Sequence, residues 1–353
     1  MRKIALGIVG CGVIGKRHVQ AAAASPLVEL VAVADAFEDR GRAVAEEFHI
    51  PRFFREGSDL VANPGIEAVV LAIPAGGRAA LACDALRAGK HVLLEKPAAM
   101  HANEIREMMR LQGDRVVACC SARFRFLPGF EAARAAFAAG SLGELREIYC
   151  RAIFGAEPAP TQPPPAWRLS RAQNGGGILV NWGSYDLDYL MSITGWLVKP
   201  RSVFARTWPV APHLSVHVAP GSDAESHCLA LIRCEGGEMI HIERAEFSSL
   251  HTETAWQLIG TRASLRLQMG FTGEKRVLFD DTDTKTGVSS RVLWEGVENE
   301  SDYDQGPVKD FVSAIIENRP PKTDLHKALT IQQIFDAVYA SSETGKLVDI
   351  PAS

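Results

Sequence analysis

Lys3-Ile4-Ala5-Leu6-Gly7-Ile8-Val9-Gly10-Cys11-Gly12-Val13-Ile14-Gly15, with Asp35 twenty residues further on, decides how the N-terminal part of this chain folds. A short apolar run reads as a buried strand, and it enters a glycine turn without a break. In that turn Gly10 permits the tight bend, Gly12 lets backbone approach a pyrophosphate, and Gly15 lets the following helix pack closely on the strand. The helix directs its positive N-terminal end at the phosphates. A second strand, residues 30–34, closes on Asp35, whose carboxylate can accept hydrogen bonds from both hydroxyls of an adenosine ribose. The same carboxylate repels a 2′-phosphate, so the expected cofactor is NAD, with NADP less favoured.

The first residues also imitate a leader. Met1-Arg2-Lys3 precedes an apolar run, and Val9-Gly10-Cys11 imitates a lipoprotein cleavage site. A removable leader has no use for Gly12 and Gly15, nor for running into Lys16-Arg17 and a second patterned strand. The segment is therefore read as the first strand of a domain in a cytoplasmic protein. At 353 residues the chain is long enough for two domains. Its 38 basic and 42 acidic residues leave a net charge of −4, which offers no electrostatic footprint for nucleic acid or an anionic membrane. No apolar stretch reaches the ~20 residues of a spanning helix. Seven cysteines without a CxxC pair suit reduced thiols.

Working outward, strands at residues 4–9, 30–34, 68–73, 91–94 and 116–120 alternate with helices at 15–24, 40–48, 79–88 and 102–111. That alternation predicts a doubly wound parallel sheet over residues 1–122. After Ser121 the pattern changes. One helix is expected at 129–139, then a proline-rich loop at 158–165 that cannot lie inside a sheet. From about Val203 the chain alternates with period two, as in Cys228-Leu229-Ala230-Leu231-Ile232, which predicts an antiparallel sheet in a second domain, 123–353. Residues 279–287 and 295–306 read as acidic surface loops, and an amphipathic helix at 325–341 closes the chain near the N-terminal domain.

Ligands of open α/β sheets bind beyond the carboxyl ends of strands. Two such ends carry polar or turn residues here: Ala72-Ile73-Pro74-Ala75 and Leu94-Glu95-Lys96-Pro97. A lysine held there beside a nicotinamide can donate to a substrate oxygen, and desolvation with a nearby positive ring lowers its pKa toward use as a proton relay. The plain alternative is a solvated loop lysine. His213 and His217 are spaced i, i+4 but sit among prolines with no acidic partner at ligand spacing, and His227, His241 and His251 fall in strands or loops; no metal is expected.

The glycine turn and Ala88-Gly89-Lys90-His91-Val92-Leu93-Leu94-Glu95-Lys96-Pro97 together resemble the Gfo/Idh/MocA oxidoreductases. Trp167-Arg168, Gly175-Gly176-Gly177 and Leu258-Ile259-Gly260-Thr261-Arg262-Ala263-Ser264-Leu265 extend the resemblance over nearly the whole chain. It implies an α/β architecture: an N-terminal Rossmann domain plus a C-terminal α+β domain with a large open sheet. It also implies NAD(P)-dependent chemistry on sugars, polyols and related compounds, and a homodimer or homotetramer formed through that sheet. Gly10, Gly12, Val13, Ile14, Gly15 and Asp35, with Ile73, Pro74, Arg78, Glu95, Lys96 and Arg168, are the residues the resemblance places on the dinucleotide. Lys96, Arg123, Trp167, Arg168, Asn181 and Tyr185 are those it places on the substrate.

The chain departs from the family where acid-base chemistry sits. Four residues after the triple glycine the family usually has aspartate, and four further on histidine; here Asn181 and Tyr185 occupy those places. On an α-helix the two share a face. Asn181 can orient an oxygen but cannot ionise. Tyr185 can pass a proton when positive charge stabilises its phenolate, or it can be a packed aromatic. Arg78 stands where the family often has histidine, and it suits a cofactor phosphate, a carboxylated substrate or a helix cap. Arg123 and Arg168 suit carboxylates or phosphates, or are plain surface charges.

The expectation is a dehydrogenase or reductase passing hydride between nicotinamide C4 and a carbinol carbon of a sugar, cyclitol or sugar derivative at the domain cleft. Lys96 and Tyr185 exchange the hydroxyl proton, Asn181 orients the reacting oxygen, and Trp167 and Arg168 wall the site. Two alternatives stand beside it: a non-catalytic dinucleotide and sugar sensor, and an enzyme that keeps NAD as a non-consumed cofactor.

Overall fold

The computed structural model describes residues 2–162, 164–270 and 273–352. Met1 of the leader-like opening and Pro163 of the proline-rich loop lie outside them. The chain divides into two compact units, residues 1–123 with 301–332, and 124–300 with 333–353.

The first unit is built on six parallel strands: β1 (Ile4–Val9), β2 (Val28–Ala34), β3 (Phe53–Phe54), β4 (Ala68–Leu71), β5 (His91–Leu94) and β6 (Val117–Cys119). Their order is β3-β2-β1-β4-β5-β6, so the chain reverses its winding between β1 and β4, beside the glycine turn. Strands buried on both faces read as unbroken apolar runs, which is why β4, Ala-Val-Val-Leu, has no polar member. One apolar cluster on the sheet includes Val9, Leu71 and Leu94 and is completed by Leu325, Ala328 and Leu329. A second includes Ile4, Leu6 and Ile8 and is completed by Val308, Phe311 and Val312. The dinucleotide helix begins at Val13, two residues earlier than read from the sequence, because Gly12 already serves as its N-cap.

The second unit carries nine strands: β7 (Leu145–Gly155), β8 (Pro200–Pro209), β9 (Glu225–Cys234), β10 (Met239–Ser248), β11 (Glu253–Gly260), β12 (Ala263–Leu267), β13 (Gly273–Asp283), β14 (Gly287–Glu298) and β15 (Val348–Asp349). Their order is β14-β13-β12-β11-β7-β10-β9-β8-β15. Neighbours are antiparallel except β7 and β10, which run parallel. The fold is α/β, with a parallel Rossmann sheet and a mixed, mainly antiparallel second sheet.

Two sequence readings fail here. Residues 279–287 and 295–306 are not loops: they belong to the hairpin β13–β14 and to the helix Glu300–Glu317. β14 is mostly solvent-exposed, so its polar composition conceals a strand whose backbone ladder to β13 holds it. The eleven-residue β7 was unread as well, although Ile148, Cys150 and Ala152 alternate with charged Glu147 and Arg151 in period two.

Candidate functional site

At the end of β1 the three glycines have three different reasons to be glycine. Gly10 takes φ +96°, and a Cβ there would lie 2.4 Å from the Ala72 carbonyl oxygen. A Cβ on Gly15 would lie 1.8 Å from the Gly10 carbonyl oxygen. A Cβ on Gly12 would meet nothing within 4 Å, so protein packing does not require that glycine. The space leaves room for close approach of a ligand to the backbone. The helix Val13–Ala23 has no side-chain cap and no acidic residue in its first turn, which leaves its N-terminal N–H groups and positive dipole end for an anion. Exposed Val13 stands beside that open space. The cradle fits a dinucleotide pyrophosphate.

Asp35 is buried at the end of β2. One carboxylate oxygen accepts from Cys11 N–H at 2.7 Å and Arg40 Nε at 2.9 Å; the other accepts from Phe37 N–H at 2.8 Å and Arg40 Nη2 at 2.7 Å. Burial pushes its pKa up, but the Arg40 pair and the two N–H donors outweigh it and hold the carboxyl below its ordinary value. The Arg40 guanidinium also stacks over Phe37, 4.5 Å from the ring centre. Nothing in the spacing of the motif singles out Arg40.

Beyond β4 and β5, Arg78 draws the two loop ends together. Its guanidinium donates to the carbonyl oxygens of Ile73, Glu95 and Pro97. Half-buried Lys96 follows Glu95 and precedes Pro97 through a cis peptide bond. Glu95 turns inward: Oε1 takes His18 Nε2 at 2.8 Å and Arg123 Nη2 at 2.7 Å, while Oε2 accepts the Lys96 N–H at 3.0 Å. Arg123 continues to Asp304 at 2.6 Å, which also meets Arg17 at 3.1 Å. Desolvation pushes the Glu95 carboxyl up, but the Arg123 charge and the His18 hydrogen bond win and hold it well below the usual carboxylate range. Arg78, Glu95 and Arg123, read from the sequence as ligand-facing, are thus buried groups bound to protein partners. The hydrogen bonds these groups share offset their desolvation, with the buried His18 Nδ1 left without a partner.

His18, Glu95 and Cys120 place three potential ligand atoms within 4.8 Å of one another. Arg123 already occupies the same Glu95 oxygen, and burial pushes the Cys120 thiol well above its ordinary pKa. The trio is chemically a hydrogen-bonded cluster, since a thiol kept protonated is a poor ligand.

In the second unit the triple glycine is explained by packing. Gly175 takes φ +80° after the short helix Arg171–Asn174. A Cβ on Gly176 would lie 1.9 Å from the Tyr339 hydroxyl, and one on Gly177 would lie 1.8 Å from the Glu225 carbonyl oxygen. The buried Glu225 carboxylate accepts from Gly177 N–H at 3.0 and 2.9 Å, from Leu179 N–H at 3.1 Å and from the Tyr339 hydroxyl at 3.0 Å. Burial pushes its pKa up against those three donors.

The segment it anchors is a π-helical turn, Leu179–Gly183, continuing as the α-helix Ser184–Ile193. The expected single α-helix through Asn181 and Tyr185 is therefore corrected: the wider turn changes the angle between them. Such turns gather at functional sites. Asn181 accepts from Asn174 Nδ2 at 3.1 Å and donates to the Arg168 carbonyl at 3.2 Å. Tyr185 is buried edge-on against Phe124, at 5.3 Å, and Trp182, at 5.8 Å. Arg168 reaches Glu246 at 2.5 Å, while Trp167 is exposed. Directly after Tyr185, Asp186 is bidentate to buried Arg244, at 2.7 and 3.0 Å, and accepts Trp256 Nε1 at 2.9 Å. Period-two alternation could have found Arg244, because it shares the inward parity of Ile240 and Ile242 on β10.

A Rossmann sheet with an unblocked glycine cradle, and in the same chain a second sheet carrying a buried polar network, is the architecture of a dinucleotide-binding protein. Residues 4–121 match the oxidoreductase family with an NAD-binding Rossmann fold, and residues 130–266 match the GFO/IDH/MocA C-terminal domain. The chain belongs to that family. A trans-1,2-dihydrobenzene-1,2-diol dehydrogenase from Mus musculus is 34% identical over 56% of this chain and 58% of its own length, so the chain spans under two thirds of that relative. A D-xylose 1-dehydrogenase (NADP(+)) from Haloferax volcanii is 25% identical over 98% of this chain and 99% of its own. The solved structure of levoglucosan dehydrogenase in complex with NADH shares the fold over the full length of both chains, with a TM-score of 0.86 at 20% identity.

Proposed function

We propose that this protein is an NAD-dependent dehydrogenase or reductase of a sugar, cyclitol or sugar derivative. The observation that carries the reading is Gly12, a glycine with empty space where its side chain would be, at an uncapped helix end next to Cys11, whose N–H donates to buried Asp35. NAD, when bound, supplies or accepts the hydride at C4 of its nicotinamide. In the first unit Lys96 is the residue suited to relay the proton of a reacting hydroxyl; in the second, Tyr185 is suited to pass a proton and Asn181, its amide fixed by Asn174 and Arg168, to orient an oxygen. Asp35 disfavours a 2′-phosphate, whereas Arg40 beside it is the residue type that accommodates one. Direct comparison of NAD with NADP decides between them.

Seven buried free cysteines support a reducing compartment, the cytoplasm. Among the described residues no helix is long and apolar enough to cross a membrane. Exposed Phe204 on β8 and Leu231 on β9, directly paired across the sheet, support a homodimer or homotetramer formed through this face.

The test is the near-ultraviolet absorbance of NADH with purified protein, NAD or NADP, and a panel of polyols, aldoses, uronates and amino sugars. Reduction of NAD with one class supports the dehydrogenase; silence across the panel despite measured NAD binding moves the reading to the sensor. Lys96→Met is expected to cut turnover by about 10²–10⁴-fold, the range of a general acid or base, with NAD affinity nearly intact. Unimpaired turnover would remove Lys96 from the mechanism.

A further inference from the structure

Within the second unit, between the π-helical turn and the ends of β7 and β10, lies a pocket of about 230 Å³. Phe154, Trp182 and Phe247 supply aromatic walls, and His217 stacks on Phe247 with ring centres 5.1 Å apart. Its two acids are Glu157, which is exposed, and Glu246, whose side chain is only 10% exposed.

Glu246 makes this more than a gap in packing. Its Oε2 accepts from Arg168 Nη2 at 2.5 Å, whereas its buried Oε1 has no hydrogen-bond partner. A buried carboxylate oxygen without a donor is costly, and a ligand hydroxyl or ammonium would satisfy it. Neither neighbouring arginine lines the pocket, although the buried Nη1 of Arg244 has no hydrogen-bond partner. Arg168 holds Glu246, and Arg244 is bidentate to Asp186 with its guanidinium 4.8 Å from the Trp182 ring. An incoming carboxylate would therefore face two acids.

We infer that this pocket is the ring-binding part of the substrate site and that it selects a single neutral or amine-bearing polyhydroxylated ring. The apolar face of the ring lies on the aromatic walls, and one hydroxyl or ammonium donates to Glu246. The inference rests on the dehydrogenase reading. Two hydrogen bonds join the pocket to that site, from Asn181 to the Arg168 carbonyl and from the Arg168 side chain to Glu246. The volume is below the roughly 300–1,000 Å³ of sites that enclose drug-sized ligands, which favours a free ring over a nucleotide-linked one.

The experiment is a tryptophan-fluorescence titration of the full chain without NAD, using myo-inositol, D-glucosamine and D-glucuronate, alongside steady-state kinetics. Inositol and glucosamine are expected to change the emission, the change being lost in Trp182→Phe, and glucuronate to bind at least about tenfold more weakly. Glu246→Gln is expected to weaken glucosamine binding by about tenfold or more, and inositol less, with KM following and kcat nearly constant. Glu157→Gln, an exposed change that spares folding, is expected to narrow the discrimination against glucuronate. Equal binding of glucuronate, or unchanged binding in Glu246→Gln, overturns the inference. Ring binding as expected with no NADH formed sinks the dehydrogenase reading and leaves the pocket; turnover with KM unmoved in Glu246→Gln sinks the pocket and leaves the dehydrogenase.

Discussion

Among single residues, Gly12 and Gly15 separate two demands that the sequence merges in one motif. Gly15→Ala forces a Cβ to 1.8 Å from the Gly10 carbonyl, so its first effect is expected on the fold itself: a lowered melting temperature, with NAD affinity lost as a consequence. Gly12→Ala meets no protein atom and is expected to melt within roughly 0.5 kcal/mol of the parent while binding NAD at least about tenfold more weakly by calorimetry. Equal NAD affinity in Gly12→Ala would sink the cradle reading. Glu95 yields a pH prediction. Its folded pKa is depressed from 4.5, so its contribution to stability is present above that pH and fades as pH falls below it. Glu95→Gln leaves Arg123 and His18 facing a neutral amide and is expected to cost about 3–5 kcal/mol at neutral pH in urea unfolding, with the gap to the parent shrinking below pH 4.5. An identical gap at both pH values would show that charge is not what matters there. Lys96 and the glycines were legible because each sits in a contiguous string whose spacing carries the chemistry. Glu225 and Glu246 were not, because their partners are tens of residues away and only the folded sheet brings Glu225 to Gly177 or Glu246 to Arg168; for Arg244 the inward parity was visible but its partner Asp186 was not.

For the elements, legibility followed burial. Five of the six strands of the first sheet were readable because both faces are covered and composition has to show it, the two-residue β3 being too short to show a pattern, whereas the exposed β14 and the parallel partner strand β7 carry little or only alternating apolar content. The π-helical turn at Leu179–Gly183 left no trace in the sequence, since an i, i+4 pair looks the same in either helix. What produces it is partly visible in space: Glu225 accepts the N–H groups of Gly177 and Leu179 just ahead of it. Glu225→Ala removes that cap and the Tyr339 bond together. The expected cost is about 1–3 kcal/mol in thermal unfolding, with a rise in KM as Asn181 loses its fixed orientation. Parent-like stability and kinetics would show that the glycines alone hold the turn.

For the molecule as a whole, the exposed Phe204–Leu231 pair predicts assembly. Phe204→Glu with Leu231→Lys is expected to shift the protein to a smaller species in light scattering while leaving its melting behaviour largely intact, since both side chains are already in solvent. An unchanged mass would place the subunit contact elsewhere. The discontinuity of the first unit has a consequence in time. Val308, Phe311 and Val312 complete one of its apolar clusters and Leu325, Ala328 and Leu329 the other. During synthesis, at about 5–20 residues per second, the strands of the dinucleotide sheet therefore wait on the order of ten seconds or more for these side chains to emerge. A nascent chain halted at residue 123 lacks the side chains that complete both clusters, so its sheet is expected to show apolar surface to chaperones and proteases until residues 308–329 have followed.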